Sequence, residues 1–343
     1  MAVSQSGIGS LRVPSARFGR WQASELAEIV NLTDQPDRLD GGGWWAVMGT
    51  FEGEITGYRF KSIHKVSENR STSDWKGPLA SEWSSSIDEP AYLAAVQAIF
   101  EYIAAGDVYQ VNLCRMLTAS LPGPADPYAL AAILAAGNPA QYAGVLDLGD
   151  DWIVSASPEL FLSRDGNRIV SSPIKGTTKT KHPFADKDYP ENVMICDLVR
   201  NDLGRVARPG SVVVTELLRR QEHPGLSHLV STIRADLASG NGWSDILSAI
   251  YPPGSVSGAP KVRALQVISE LEPVPRGVYC GTLGFVDADR QRARLCVGIR
   301  TFALTSGMLR FGTGAGITWG SDPAEEWQET KLKAARLIGL ACS

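Results

Sequence analysis

Several polar residues of this 343-residue chain sit inside apolar surroundings where a core alone would not want them. Glu326, Glu329 and Lys333 stand at i, i+3 and i+7 and so share one helix face. Taken alone they describe an exposed face with an i,i+4 ion pair. Asp188 and Glu191 open another helical segment that closes on Arg200-Asn201-Asp202, which caps and surface charges would explain equally well. Lys175, in Ser172-Pro173-Ile174-Lys175-Gly176-Thr177, lies between an apolar strand and a glycine turn, the place of a solvated turn lysine. Glu159 in Ser157-Pro158-Glu159 is tucked between two strands, and His228 has the surroundings of a hydrogen-bonded structural histidine.

Familiar catalytic signatures are missing. Gly312-Thr313-Gly314-Ala315-Gly316 follows a strand but breaks the G-x-G-x-x-G spacing, and no G-x-x-x-x-G-K-[ST] occurs, so neither dinucleotide nor P-loop chemistry is supported. Gly254-Ser255-Val256-Ser257-Gly258 misses the nucleophile elbow by register. Scattered histidines at 64, 182, 223 and 228, and no H-E-x-x-H, argue against zinc.

The elements that must position these residues follow from local signals. Asp88 with Pro90 starts a helix that Gly106 stops, and apolar residues recur at Leu93, Val96, Ile99 and Ile103. A strand over 108–117 comes next, then a helix from Asp126-Pro127 to Gly137. Strands are predicted around 141–147, 152–156 and 168–172, with a turn at Asp165-Gly166-Asn167. Helices follow over 190–203 and 257–271, strands over 279–287, 293–302 and 308–313, and a last helix from Asp322-Pro323 to about Leu340. This grouping, without strict βαβ alternation, predicts an α+β fold with antiparallel sheets. Residues 1–85, rich in Gly, Ser and Trp with short strands at 44–48 and 55–60, read as an N-terminal lobe before a unit spanning 86–343.

Composition narrows the function. The net charge of −4 from 33 basic and 37 acidic residues gives no basic excess for nucleic acid or an anionic membrane surface, yet leaves room for a local cationic pocket. The longest apolar run, 129–136, falls far short of the ~20 residues of a membrane helix. Five scattered cysteines without C-x-x-C make a disulfide scaffold or zinc site unexpected, and with no leader visible in the first twenty residues a cytoplasmic location is expected.

Ten ordered segments, over about residues 88 to 340, carry a resemblance. They are Gly106-Asp107-Val108-Tyr109-Gln110-Val111-Asn112-Leu113, Ser157-Pro158-Glu159, Pro173-Ile174-Lys175-Gly176-Thr177, Glu191-Asn192-Val193-Met194-Ile195 and Asp197-Leu198-Val199-Arg200-Asn201-Asp202. His228-Leu229-Val230-Ser231, Gly254-Ser255-Val256-Ser257-Gly258-Ala259-Pro260-Lys261, Ile299-Arg300-Thr301, Gly314-Ala315-Gly316-Ile317 and Glu329-Thr330-x-x-Lys333 complete them. In this order the chain resembles the chorismate-utilising enzymes. The resemblance implies antiparallel sheets packed face to face with helices outside, an αββα sandwich, and an N-terminal part shorter than is usual in the family. It also implies a Mg²⁺ ion bridging the ring carboxylate of chorismate to Glu191 and Glu329, in line with the preference of that ion for few, hard oxygen ligands. The other carboxylate is expected to meet Arg300, Lys333, Tyr279 and Thr177 nearby, with a nest of backbone N–H groups around Gly314 and Gly316.

Two positions discriminate within the family. Hydroxylating members carry Lys where this chain has Gln110, and Gln cannot serve as the base that activates water. Anthranilate-forming members have Ala where this chain has Lys175, the residue of members that form 4-amino-4-deoxychorismate. There the lysine is thought to attack C2 as the C4 hydroxyl leaves, and ammonia opens the adduct at C4. The resemblance therefore implies C4 amination on the route to p-aminobenzoate and folate, with Glu159, Asp188 and His228 as acid or proton-transfer candidates. Lys175 must be neutral to attack; burial would favour that and the nearby carboxylates oppose it. The alternatives are an anthranilate-forming enzyme and an aminating homologue in secondary metabolism. No Gly-x-Cys-x-Gly elbow is present, so ammonia is expected from a separate glutamine amidotransferase subunit.

Overall fold

The computed structural model describes residues 12–66, 74–223 and 226–342. Residues 1–11, part of the first twenty in which no leader is visible, and 67–73 of the expected lobe lie outside them. In chain order the first half holds β1 (Ser15–Phe18), β2 (Trp21–Asn31), β3 (Trp44–Gly49), β4 (Ile55–Lys65), β5 (Ser84–Ser85), α1 (Glu89–Ala104), β6 (Gln110–Ser120), α2 (Pro127–Gly137), β7 (Tyr142–Asp147), β8 (Trp152–Ser157), β9 (Leu160–Asp165), β10 (Arg168–Ser172) and β11 (Ile174–Lys179). The second half holds α3 (Asp188–Gly204), β12 (Val213–His223), β13 (Leu226–Asp236), α4 (Trp243–Ile250), β14 (Gly258–Ala259), α5 (Lys261–Leu271), β15 (Thr282–Asp287), β16 (Arg292–Val297), β17 (Thr301–Thr305), β18 (Met308–Thr318) and α6 (Pro323–Ala341).

Helix starts follow their local chemistry. Asp88 accepts the Ala91 N–H at 3.0 Å, Asp126 accepts that of Tyr128 at 2.9 Å, and Asp322 accepts those of Ala324 and Glu325. Each cap satisfies donors that a first turn leaves open and contributes about 1 kcal/mol. Tyr92, Val96 and Ile99 of α1 are fully buried at helical spacing, so that stripe faces the core as its period requires.

The strands join in one antiparallel hydrogen-bonded network with the helices packed on it. Its centre for function is β6, paired with β18 along its whole length and with β14 and β5 on its other edge. The N-terminal strands enter the same network: β3 pairs with β15 and β1 with β7. The largest hydrophobic cluster runs from Trp45 and Tyr92 through Leu113 and Phe161 to Trp243 and Ile317, so β6, β9 and β18 are buttressed by packed side chains. No helix among the described residues is long and apolar enough to cross a membrane.

Three expectations change. The helix expected over 257–271 begins only at Lys261, because Gly258 and Ala259 pair with Val111 and Gln110 as a short strand. The strand expected over 293–302 is two strands, separated where Arg300 takes a φ of 52°. The strand expected over 308–313 runs on to Thr318, so the glycine-rich 312–316 lies in the middle of β18, in register with 112–116 of β6.

Candidate active site

Lys175 stands on β11, and its Nζ donates to Asn112 Oδ1 at 3.2 Å. Asn112 Nδ2 donates to Ser255 O at 3.0 Å, and the Ser255 hydroxyl bonds the Glu159 carboxyl. One short chain of polar groups thus fixes the lysine relative to the glutamate. The backbone of Lys175 is held as well: buried Asn192 of α3 donates to Lys175 O at 3.2 Å and to Leu229 O at 2.8 Å, and its Oδ1 accepts from Ser231. Asn192 therefore ties α3 to β11 and β13 one residue after Glu191.

The glycines of β18 provide the floor. Residues at alternate positions of a strand share a face, and Gly312, Gly314 and Gly316 leave that face bare. A Cβ on Gly316 would lie 3.1 Å from Lys175 Nζ and 3.0 Å from Asn112 Oδ1. One on Gly314 would lie 2.5 Å from Cys114 Sγ, and one on Gly312 would enter the Tyr279 ring. Opposite Gly316 and Gly314, Asn112 and Cys114 give their N–H groups to Ser257 O and Glu272 Oε1 instead. These are non-hydrogen-bonded pairs, so the backbone groups of both glycines turn to the other edge of β18. Lys333 Nζ meets Gly314 O there at 3.1 Å. The strand edge replaces the expected nest.

The helix ends supply the charges. Gln110 Nε2 donates to Glu191 Oε2 at 3.1 Å, joining β6 to α3. On α6, Glu329 pairs with Lys333 at 2.5 Å. Glu326 is buried, not surface-exposed, and accepts from Lys187 at 3.0 Å and from Ser321 at 2.7 Å. Asp188 lies against Gly176, where a Cβ would be 2.8 Å from the aspartate Cβ. Gly176 also has a φ of 89°, so the residue after Lys175 must be glycine on both counts.

A third group lies beside Lys175 on the sheet. Thr177 Oγ1 meets His228 Nδ1 at 2.9 Å, and Arg300 meets His228 Nε2 at 3.4 Å. Arg300 can only donate, so Nε2 is the acceptor and Nδ1 carries the proton to Thr177. Tyr279 stands apart from this arrangement: its ring covers Gly312 and its hydroxyl bonds Cys114. Gly312 and Gly316 are about 14 Å apart along the strand.

Protonation follows from these surroundings. Burial pushes the Glu159 carboxyl up to about 7, against the pull of Ser255, Lys175 and Arg300. Burial, helped by Lys333, lowers Lys175 against the opposing pull of Glu191, Glu159 and Glu329. The net direction favours the neutral amine over its ordinary balance. Burial raises Asp188 and Glu191 too. Burial also works against ionised Glu329, but Lys333, Lys187 and Lys175 outweigh it and the carboxyl is held low.

The set can do acid–base work and offers an amine whose proton is held less tightly than usual, beside cations suited to an anionic substrate. Among the described residues no three His, Cys, Asp or Glu side chains form a closed metal cage. Glu191 of α3 and Glu329 of α6, whose charges both act on Lys175, offer two carboxylates whose chemistry would suit a Mg²⁺ ion with further ligands from outside the protein. Asn112, Asn192, Ser255 and Lys187 had no role in the sequence reading. The first three lie within the quoted segments, but Lys187 lies outside them all.

The profile of the chorismate binding enzyme family matches residues 52–339. Anthranilate synthase component 1 of Thermus thermophilus is 40% identical over 285 residues, 77% of this chain and 61% of its own length. Aminodeoxychorismate synthase component 1 of Salmonella typhimurium is 39% identical over 272 residues, 76% of this chain and 59% of its own. The chain thus spans about three fifths of the length of these curated relatives. Among solved structures, anthranilate synthase component I from Streptococcus pneumoniae superposes with a TM-score of 0.80 at 22% identity, covering 98% of this chain and 95% of that one. The menaquinone-specific isochorismate synthase of Escherichia coli gives 0.82 at 18%, covering 96% and 89%. At these identities the structural likeness speaks for the fold alone.

Proposed function

The chain belongs to the chorismate binding enzymes, and we propose that within this family it aminates chorismate at C4 to give 4-amino-4-deoxychorismate. The observation that carries this reading is Lys175: an amine lowered by burial, held by Asn112 above the bare face of Gly316. Gln110 supports it from the other side, since it spends its N–H on Glu191 and offers no base for water. Relatives at nearly equal identity are named for both anthranilate and aminodeoxychorismate synthesis, so overall similarity does not choose between the products.

In this mechanism Arg300, Lys333 and the edge of β18 orient the substrate carboxylates. Glu191 and Glu329 would hold Mg²⁺, which supplies counter-charge and Lewis acidity at the ring carboxylate. The Lys175 amine attacks C2, both ring double bonds shift round the ring toward C4, and the C4–O bond breaks. Glu159 gives the departing oxygen a proton, and water leaves. Ammonia then bonds to C4, both double bonds shift back, and the electron pair of the C2–N bond returns to Lys175. The new nitrogen loses its extra proton to become the amine. Asp188, beside Gly176, is a second acid at the entrance, and the His228–Thr177 pair positions Arg300. Relatives named as component 1 belong to enzymes with more than one component; here the second would be a glutamine amidotransferase that supplies ammonia, and the product would feed p-aminobenzoate and folate.

The test is product identification. Purified protein with chorismate, Mg²⁺ and an ammonium salt should yield 4-amino-4-deoxychorismate by chromatography and mass spectrometry. Anthranilate with released pyruvate would overturn the reading.

A further inference from the structure

A small cavity of about 20 Å³ lies behind Glu159, between β9, α3 and the turn before β14. Its polar lining is Glu159, Ser171, Asp202 and Ser255, and the rest is apolar, with Phe161 and Val199 among it. A single water needs roughly 10–15 Å³ and two to four polar partners, and this space provides both. Glu159 is 3% exposed, and its Oε1 is buried with no hydrogen-bond partner in the protein. On the far side, Asp202 pairs with Lys261 at 2.5 Å, and Lys261 also donates to Ile250 O at 3.1 Å. The Lys261 side chain keeps 13% of its surface exposed, so this pair reaches the edge of the protein.

We propose that this cavity holds one water molecule through which Asp202 passes a proton to Glu159, so that the acid is recharged from the protein interior. The inference rests on the reading of Glu159 as the proton donor. Once Glu159 has given its proton to the departing oxygen, its carboxylate takes one from the water, and the water takes one from the Asp202 carboxyl. Asp202 regains its proton from solvent by way of Lys261. No electrons change hands. The groups facing Glu159 are Lys175, Arg300, Ser255 and the Ile174 backbone; those facing Asp202 are Lys261 and Arg205. Burial raises both carboxyls, Glu159 to about 7, and so favours a proton on each more than water would. Asp202 does not touch the substrate and is a positioning residue for that proton.

Asp202→Asn tests the relay. It keeps the shape and an acceptor for Lys261 but cannot release a proton. Expected are a fall in kcat of about tenfold or more with chorismate KM kept within about twofold, a displaced alkaline limb of the pH–rate profile, and a larger solvent deuterium effect. A pH profile that does not move would overturn the relay. Substrate-free protein decides it independently, since the infrared band of the protonated carboxyl, assigned through Glu159→Gln, should exchange with deuterium more slowly in D202N. Equal exchange rates would overturn it. If D202N does not fold, a high-resolution crystal structure of the unaltered protein decides: an ordered water on Glu159 Oε1 is expected, and a dry cavity refutes the idea. A protein that makes no C4-amino product would sink the proposed function, while the exchange and the water would still report on the cavity.

Discussion

On the sheet side of the site, Lys175 and Glu159 have both been moved toward neutrality, and in each the first cause is burial. On the helix side, Glu329 and Lys187 are also partly withdrawn from water, yet both are held in their charged forms because their partners outweigh burial. These two pairs of groups share several charges and reach opposite outcomes, while Asp188 and Glu191 of α3 follow burial like the sheet pair. The difference lies in spacing. Glu329 and Lys333 touch at 2.5 Å and Lys187 and Glu326 at 3.0 Å, whereas the nearest hydrogen-bond partner of the Lys175 amine is a neutral amide. In these two pairs contact preserves the charge, whereas around Lys175 charges acting at a distance do not overcome desolvation. In the proposed mechanism this keeps amine and acid chemistry apart from cation and carboxylate binding.

The comparison breaks first at Lys175. Lys175→Ala should lower amination by about a thousandfold or more, and Lys175→Arg should not rescue it, because the function requires a neutral amine and not a charge. Intact mass should show any chorismate-derived adduct lost in K175A; an adduct that persists would remove the nucleophile role. Next is Glu159→Gln, expected to cost about 10²–10⁴-fold in rate.

The same variant sharpens the electrostatic contrast. With a folded value of about 7 against an ordinary value of 4.5, the native protein binds this proton more tightly than the unfolded chain. The stability so gained is complete below the unfolded value and is lost as pH rises through 7. Glu159→Gln should therefore be more stable than the parent at pH 8, by on the order of 2–3 kcal/mol in denaturant titrations, and not at pH 4. An equal change at both pH values would show that burial is not what sets this carboxyl.

On the helix side, Glu329→Gln should raise the Mg²⁺ concentration for half-maximal rate by about 10–100-fold with little change in stability. The smallest effect expected is at Lys187→Met. It leaves buried Glu326 with only Ser321, and because the lysine is partly exposed the loss should be about 1 kcal/mol in thermal or denaturant unfolding. A loss as large as that of a fully buried pair would mean that burial governs this side as well.

What could be read in advance was what is local. Asp88, Asp126 and Asp322 each precede a proline within the first turn of a helix, and all three helices begin there. The site's principal charges were legible because their residue types recur in ordered segments. What could not be read depended on distant partners. The glycines at 312–316 become a strand only because β6, some two hundred residues earlier, pairs with them. Gly258 and Ala259 leave the helical pattern for the same strand. Lys187 gave no signal, since its partner Glu326 lies 139 residues away and nothing in a lone lysine announces a buried carboxylate. The packing of the Tyr279 ring over Gly312 was likewise not legible, since the two are brought together only by the fold.

The bare face of β18 has a consequence for how such a site can vary. A surface made of main chain offers almost nothing for substitution to work on: a methyl group at position 316 already crowds the lysine, and one at 312 displaces an aromatic ring. Variation in specificity must then come from side chains that reach over this floor from other strands and helices, such as those at 110 and 175. A saturation scan of Gly312, Gly314 and Gly316 should show that even alanine is rejected at each, marking where the protein has made its own backbone part of the site.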